Sequence, residues 1–276
     1  MESAIEYHKK LDWLEFLAED AAEEMVKYRP IIEDYVSTVN NWEHPYSHFA
    51  MLSFIPKVES IRCGMLEVAK TEESYSYRIL LRSLIEHYCK FMYIWMRYAE
   101  ERDDNIGKQY FIFGSAKENL DYIKAMRDSA EMLGGMMPRS PIDILNDLQP
   151  SFNNVSANQL QASSLQFTYK YTAKYLHEKA CKPSNKPSEL MASIIPLYSE
   201  LSSFVHGGPS SLDFCEELKN PETMYDNIIE TLSVSQMMVF HVQAMTFLMY
   251  YQRDKKFGDP YNVMSKYIEK LSSEKP

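Results

Sequence analysis

From Ile79 to Met96 the chain reads ILLRSLIEHYCKFMYIWM, its most hydrophobic stretch. Arg82, Ser83, Glu86, His87 and Lys90 form the only polar stripe in it, and apolar residues cover the rest of the circumference. That pattern predicts a helix largely enclosed by other helices. Arg82 and Glu86 stand four residues apart and can meet on the helix surface. Charges in such a helix need partners, because an unpaired buried charge is strongly destabilising. The stripe therefore reads either as a preorganised Arg/Glu pair facing a pocket or as the solvated strip of an amphipathic helix.

Working outward, helical spacing recurs along the chain. Ile5 to Tyr28 places its apolar residues on one side and acids on the other, and Pro30 is expected to stop it. Ser47 to Lys70 reads as a helix broken or kinked at Pro56, and Glu72 to Glu101 contains the quoted stretch. Asn105 to Leu133 ends at Gly134-Gly135. Ser140-Pro141, Asn220-Pro221 and Asp259-Pro260 each read as a cap followed by proline at the first helical position. Ser151 to Gln161 is rich in Ser and Asn and reads as a surface loop. Ser163 to Lys182 is helical and is broken by Pro183 to Pro187. A further helix runs to His206 with a kink at Pro196, and Thr223 to Arg253 forms a long apolar one.

Composition agrees with an all-α chain. Among 276 residues there are only 8 Gly against 17 Met and 20 Tyr, and no run of alternating β-branched residues stands out. The four cysteines (Cys63, Cys89, Cys181 and Cys215) have no CxxC spacing, which argues against a zinc ribbon or disulfide framework and suits a reducing cytoplasm. The charged, amphipathic N-terminus does not read as a signal peptide, and no membrane span is expected. A net charge of -10 disfavours broad nucleic-acid binding. No Walker loop, GxGxxG, HExxH or GxSxG is present, and the histidines are too scattered to suggest a metal cluster, so no metal and no cofactor is expected.

Two further stretches carry chemistry. Tyr198 to Pro209, YSELSSFVHGGP, puts Ser199, Ser202, Ser203 and His206 on one helix face and ends at Gly207-Gly208-Pro209. A histidine there sits where the helix dipole favours positive charge, and hydroxyls beside it can help it move protons. The plainer reading is a C-terminal histidine on a polar face. Gln166 to Lys186 holds five lysines (Lys170, Lys174, Lys179, Lys182 and Lys186) against Glu178, with Tyr169, Tyr171 and Tyr175 interleaved. Lysines pair with phosphates and tyrosine rings stack on bases, so Lys170, Lys174, Tyr171, Tyr175 and Lys182 make a candidate RNA-binding edge. A solvated helix face is the competing reading.

A helix reading R-x-L-x-E-H, followed much later by S-x-x-V-H-G, resembles an uncharacterised family of bacterial helical proteins associated with the HEPN superfamily. The resemblance covers roughly residues 61 to 250. It implies a HEPN-like helical bundle at residues 61–255 with additional N- and C-terminal helices, 1–60 being an extension and 256–276 a closing helix, all in one domain. It also implies a homodimer and a metal-independent RNase of anti-phage defence or toxin–antitoxin systems, acting on RNA such as tRNA beside a defence or antitoxin partner. The family signature joins an arginine and a histidine on one helix. His206 matches the histidine, whereas residues 199–201 hold no arginine; Arg82 to His87 matches the spacing inside a continuous hydrophobic helix.

If Arg82 meets His206 in space, the implied catalytic set is His206, Arg82, Glu86, His87, Ser202 and Ser203. His206 or His87 would act as base or acid and Arg82 would hold the phosphate, with Glu86 orienting Arg82. Ser202 or Ser203 would fix the histidine tautomer, and the product would be a 2′,3′-cyclic phosphate. The alternative is a non-catalytic adaptor or sensor in which the same Arg/Glu/Ser/His residues form a structural network. A nucleotide or small-molecule sensor, with a closed pocket around Arg82, is a third reading.

Overall fold

The computed structural model describes residues 2–38, 43–148, 156–180, 189–217 and 219–273. Thirteen α-helices account for most of them, and no strand occurs among the described residues. In chain order they are α1 (Glu2–Ser37), α2 (Pro45–Leu52), α3 (Phe54–Lys70), α4 (Ser74–Glu101) and α5 (Asn105–Gln109). After a π segment (Tyr110–Gly114) come α6 (Ser115–Met132), α7 (Pro141–Leu148), α8 (Ala157–Leu165), α9 (Tyr169–Ala180) and α10 (Glu189–His206). The chain closes with α11 (Ser210–Glu217), α12 (Pro221–Tyr251), a 3₁₀ turn (Lys255–Phe257) and α13 (Gly258–Ser273).

Two helices make the centre. The quoted stretch lies in α4, whose Leu81, Leu84, Ile85, Tyr88, Phe91 and Ile94 are buried, and α3, α9, α10 and α12 pack around it. By length and composition α12 could cross a membrane, but most of its apolar window is buried against α1, α3, α4 and α13. The N-terminal helix and the closing helix α13 share one apolar core with α3, α4 and α12. A smaller cluster (Ala116, Leu120, Ile123, Leu145 and Leu160) holds α6, α7 and α8 together.

Several boundaries depart from the sequence pattern. Pro30 does not end α1, which continues to Ser37. The turn beyond it carries Tyr35 against the rings of Tyr250 and Phe257, and that burial offsets the hydrogen bond proline removes. The second helix breaks at Ser53 rather than Pro56. Pro56 falls in the first turn of α3, where a missing N–H leaves no bond unmade. The stretch from Asn105 to Leu133 is interrupted by the π segment, and the stretch from Ser163 divides after Leu165 so that Phe167 can sink against Tyr93 and Tyr110.

The caps are mixed. Asn220 accepts from Glu222 N–H as its pattern predicts, and α7 begins at Pro141. The closing helix is instead preceded by Asp254, which accepts from Lys256 N–H, while Asp259 and Pro260 lie inside its first turn. Part of the expected surface loop is helix, because Ser156 and Gln159 form a reciprocal capping box that starts α8. Residues 149–155 and the breaker Pro183 to Pro187 lie outside the described residues, as does Lys182.

Close backbone approach fixes α5 on α2. A Cβ built on Gly107 would stand 2.1 Å from Ser47 N, and Asp104 accepts from that same N–H at 2.8 Å. Gly107→Ala is expected to cost about 1–3 kcal/mol by overpacking, read as a lower urea midpoint; an unchanged midpoint would refute the close approach. Burial also keeps two histidines neutral. It lowers His241, whose Nδ1 shares a 2.7 Å hydrogen bond with the Tyr88 hydroxyl, to about 4, and lowers His48, beside Tyr98, to about 3. Both folded-state values lie below the unfolded value of about 6.5, so the unfolded chain binds more protons in between. Stability should therefore fall as pH drops from about 6.5 toward 4, and His241→Gln should flatten part of that slope in thermal melts.

Candidate functional site

The quoted helix meets α10 in an antiparallel register that three side chains define. Tyr75 donates its hydroxyl to Phe204 O at 2.7 Å. Arg78 donates to Glu200 at 3.1 Å and to Asn227 at 2.8 Å, with its guanidinium over the Phe204 ring. Arg82 donates to the Tyr198 hydroxyl at 2.9 Å and, through Nε, to Ser202 Oγ at 3.4 Å. As α4 advances from 75 to 82, its partners on α10 therefore retreat from 204 to 198.

This register decides which candidate residues come together. Arg82, Glu86 and Ser202 join, along with Tyr198, which the spacing of hydroxyls and histidine on α10 does not single out. Glu86 lies 3.9 Å from Arg82 and accepts from Lys90 at 2.8 Å. Burial works to raise the Glu86 carboxyl, but the hydrogen bond and charge of Lys90, with the charge of Arg82, hold it below the usual carboxylate range. Both serines donate to carbonyls of α10, Ser202 to Tyr198 O and Ser203 to Glu200 O, but of the two Ser202 also accepts from Arg82.

The two histidines stand elsewhere. His206 is four residues past Ser202, about 6 Å farther along α10, toward the N-terminal end of α4 and away from Arg82. It is exposed, and among the described residues it makes no side-chain hydrogen bond or ion pair. His87 lies five residues after Arg82, about 140° around the helix. Its Nδ1–H donates to Ser83 O at 2.8 Å and its ring meets Phe54 edge-on, while burial lowers its pKa below the ordinary value.

Beside Arg82 opens a groove of about 490 Å³ between α4, the start of α6, the α8–α9 turn and α10. Arg82, Lys90, Lys117 and Lys170 supply positive charge, and Glu86 and Glu118 are its carboxylates. Leu165, Phe167 and Tyr169 form an apolar side, with Tyr169 stacked on Tyr198 at a 17° interplanar angle. Gly114, the last residue of the π segment, borders the opening, and a Cβ there would meet nothing within 4 Å. The signal for Tyr198 was its place one turn before Ser202 on the same face of α10. Lys117 had none, because only the fold brings α6 to α4.

Of the expected RNA-binding edge, Lys170 alone among the described residues lines this groove. Lys174 pairs with Glu178 at 3.8 Å, and Lys179 pairs with Glu100. Tyr171 and Tyr175 set their rings edge-on against Tyr93, and Tyr175 donates to Glu100 at 2.9 Å. Among the described residues no group of three or more His, Cys, Asp or Glu side chains gathers to hold a metal ion.

Comparison with protein-family models gives no match, and searches of the curated proteins and of the solved structures give none either.

If the Arg82–Tyr198 contact locks α10 to α4, Arg82→Ala should cost about 1–3 kcal/mol and Tyr198→Phe about 1 kcal/mol. A double-mutant cycle should return a coupling of at least about 0.5 kcal/mol, and additive losses would show that the contact carries nothing. His206→Ala should change stability by no more than about 0.5 kcal/mol.

Proposed function

We propose that this chain is a non-catalytic helical adaptor or sensor, in which Arg82, Glu86, Ser202 and Tyr198 fasten α10 to α4. The observation that supports this reading is the use made of Arg82. Two of its nitrogens bond to Tyr198 and Ser202, and the antiparallel register takes His206 the other way. His206 makes no hydrogen bond or ion pair among the described residues, so no imidazole is joined to Arg82. His87, turned about 140° away and bonded to Ser83 O, does not replace it.

A second reading keeps the HEPN-like metal-independent RNase, working on tRNA or another RNA as a homodimer within a defence or toxin–antitoxin system. It draws on one observation, the exposed and unpaired His206 at a helix end before Gly207. Purified wild-type and His206→Ala proteins, incubated with total tRNA in EDTA and induced in a bacterial host, separate the two. The adaptor or sensor reading expects intact RNA and equal growth for both. New 2′,3′-cyclic phosphate ends that disappear with His206→Ala would overturn it in favour of the RNase.

A further inference from the structure

We propose that the groove beside Arg82 binds a free α-amino acid with an apolar side chain, held as its zwitterion. The inference deepens the sensor reading, on which it rests for its biological sense, by naming the class of molecule sensed.

The charges left unmatched are the first argument. Lys117 is paired with Asp121, while Glu86 accepts from Lys90 and lies 3.9 Å from Arg82. Arg82 is committed further to Tyr198 and Ser202. Two charged groups of the lining remain, Lys170 on α9 and Glu118 on α6. Both are exposed, and neither makes a side-chain hydrogen bond or ion pair among the described residues. Lys57 feels the Glu118 charge but donates instead to the Tyr110 hydroxyl at 3.4 Å. The open charges are thus one cation and one anion, carried by two different walls of the same groove.

The second argument is the apolar side. Leu165 is 50% exposed although it borders the groove with Phe167 and Tyr169. The N-terminus of α9 opens beside it at Thr168, Tyr169 and Lys170, where the helix dipole favours a carboxylate. An α-carboxylate at Lys170 and an α-ammonium at Glu118 would match both open charges with charge-assisted bonds. The side chain of the ligand would then cover Leu165 and Phe167. The volume of about 490 Å³ lies within the range of small-ligand sites and admits the largest apolar side chains.

The same accounting discriminates against other classes of ligand. A polyanion would find one free cation and, on the neighbouring wall, an unpaired carboxylate that repels it. A monocarboxylate would leave Glu118 unmatched, and a simple amine would leave Lys170 so. An uncharged apolar molecule would satisfy neither. A charged side chain on the amino acid would lay its charge against Leu165, which costs affinity rather than adding it.

The test is calorimetric titration of the full chain with leucine, phenylalanine and tryptophan, alongside lysine and glutamate. At least one of the three apolar amino acids should bind with a Kd below about 100 μM, and lysine and glutamate should bind at least about tenfold more weakly. The N-acetyl and the carboxamide derivatives of the tightest binder each lose one charge and should each weaken by about tenfold or more. Lys170→Gln should weaken the free amino acid by about the same factor while leaving its carboxamide unchanged. Glu118→Gln should do the converse, weakening the free amino acid but not its N-acetyl derivative. Both positions are exposed, so the melting temperature of each variant should stay close to wild type. The proposal is overturned if none of the three binds at millimolar concentration, if both blocked derivatives bind as tightly as the free amino acid, or if neither variant changes its affinity. Lysine or glutamate binding as tightly as the apolar amino acids would overturn it too. An absence of amino-acid binding would leave the fastening role of Arg82 standing. RNA cleavage would sink the non-catalytic reading without touching the amino-acid site.

Discussion

The charges on a nearly buried helix have to be matched by whatever buries it, and in α4 that demand governs the packing of its neighbours. Arg78 is almost wholly enclosed, and burial lowers its pKa to about 10 even with the Glu200 carboxylate beside it. Removing either partner would strand a charge or a desolvated acceptor, so α10 and α12 must both present the right polar group at the right turn. Arg82 repeats the demand one turn later and meets it with hydroxyls from Tyr198 and Ser202. The packing of α10 on α4 is thus specified by polar matching as much as by apolar area.

The same principle operates on the far side of the core. In α12, Gln236 donates to Leu14 O of α1 and Gln243 donates to Glu59 of α3, which also receives two bonds from Arg62. Trp95 of α4 donates to Met245 O. Each bond joins a different helix to α12 at a defined height, so a helix that is apolar nearly all round still has one register against its neighbours.

How much of this can be read from the residues depends on the range of the interaction. The all-α class follows from helical periodicity, and the starts at Pro141 and Pro221 follow from local cap chemistry. Pro30 and Pro56 mislead because tertiary burial and position within a first turn decide their cost, and neither is visible in the local pattern. The candidate site was half legible. Arg82 and Glu86 stand out as charges in an apolar helix, and Ser202 stands on a polar face, but the register of α4 against α10 is a non-local fact. A spacing argument can place His206 and Ser202 on one face without revealing which of them arrives at Arg82. The pairing of Lys179 in the lysine-rich stretch is likewise non-local, since its counter-charge Glu100 is supplied from α4.

The π segment at Tyr110–Gly114 joins two helices with unrelated duties. On one side α5 is clamped against α2 through Gly107, where no rotation is tolerated. On the other, α6 must turn Lys117 toward the groove and bury Ala116 and Leu120 in the smaller core. A continuous α-helix would tie both faces to a single phase, each residue advancing it by about 100°. The wider turn works as a phase shifter, letting the two halves be indexed independently. Evolution can therefore tune which side chains of α6 border the groove by adding or deleting one residue at this joint, without disturbing the clamp that anchors it.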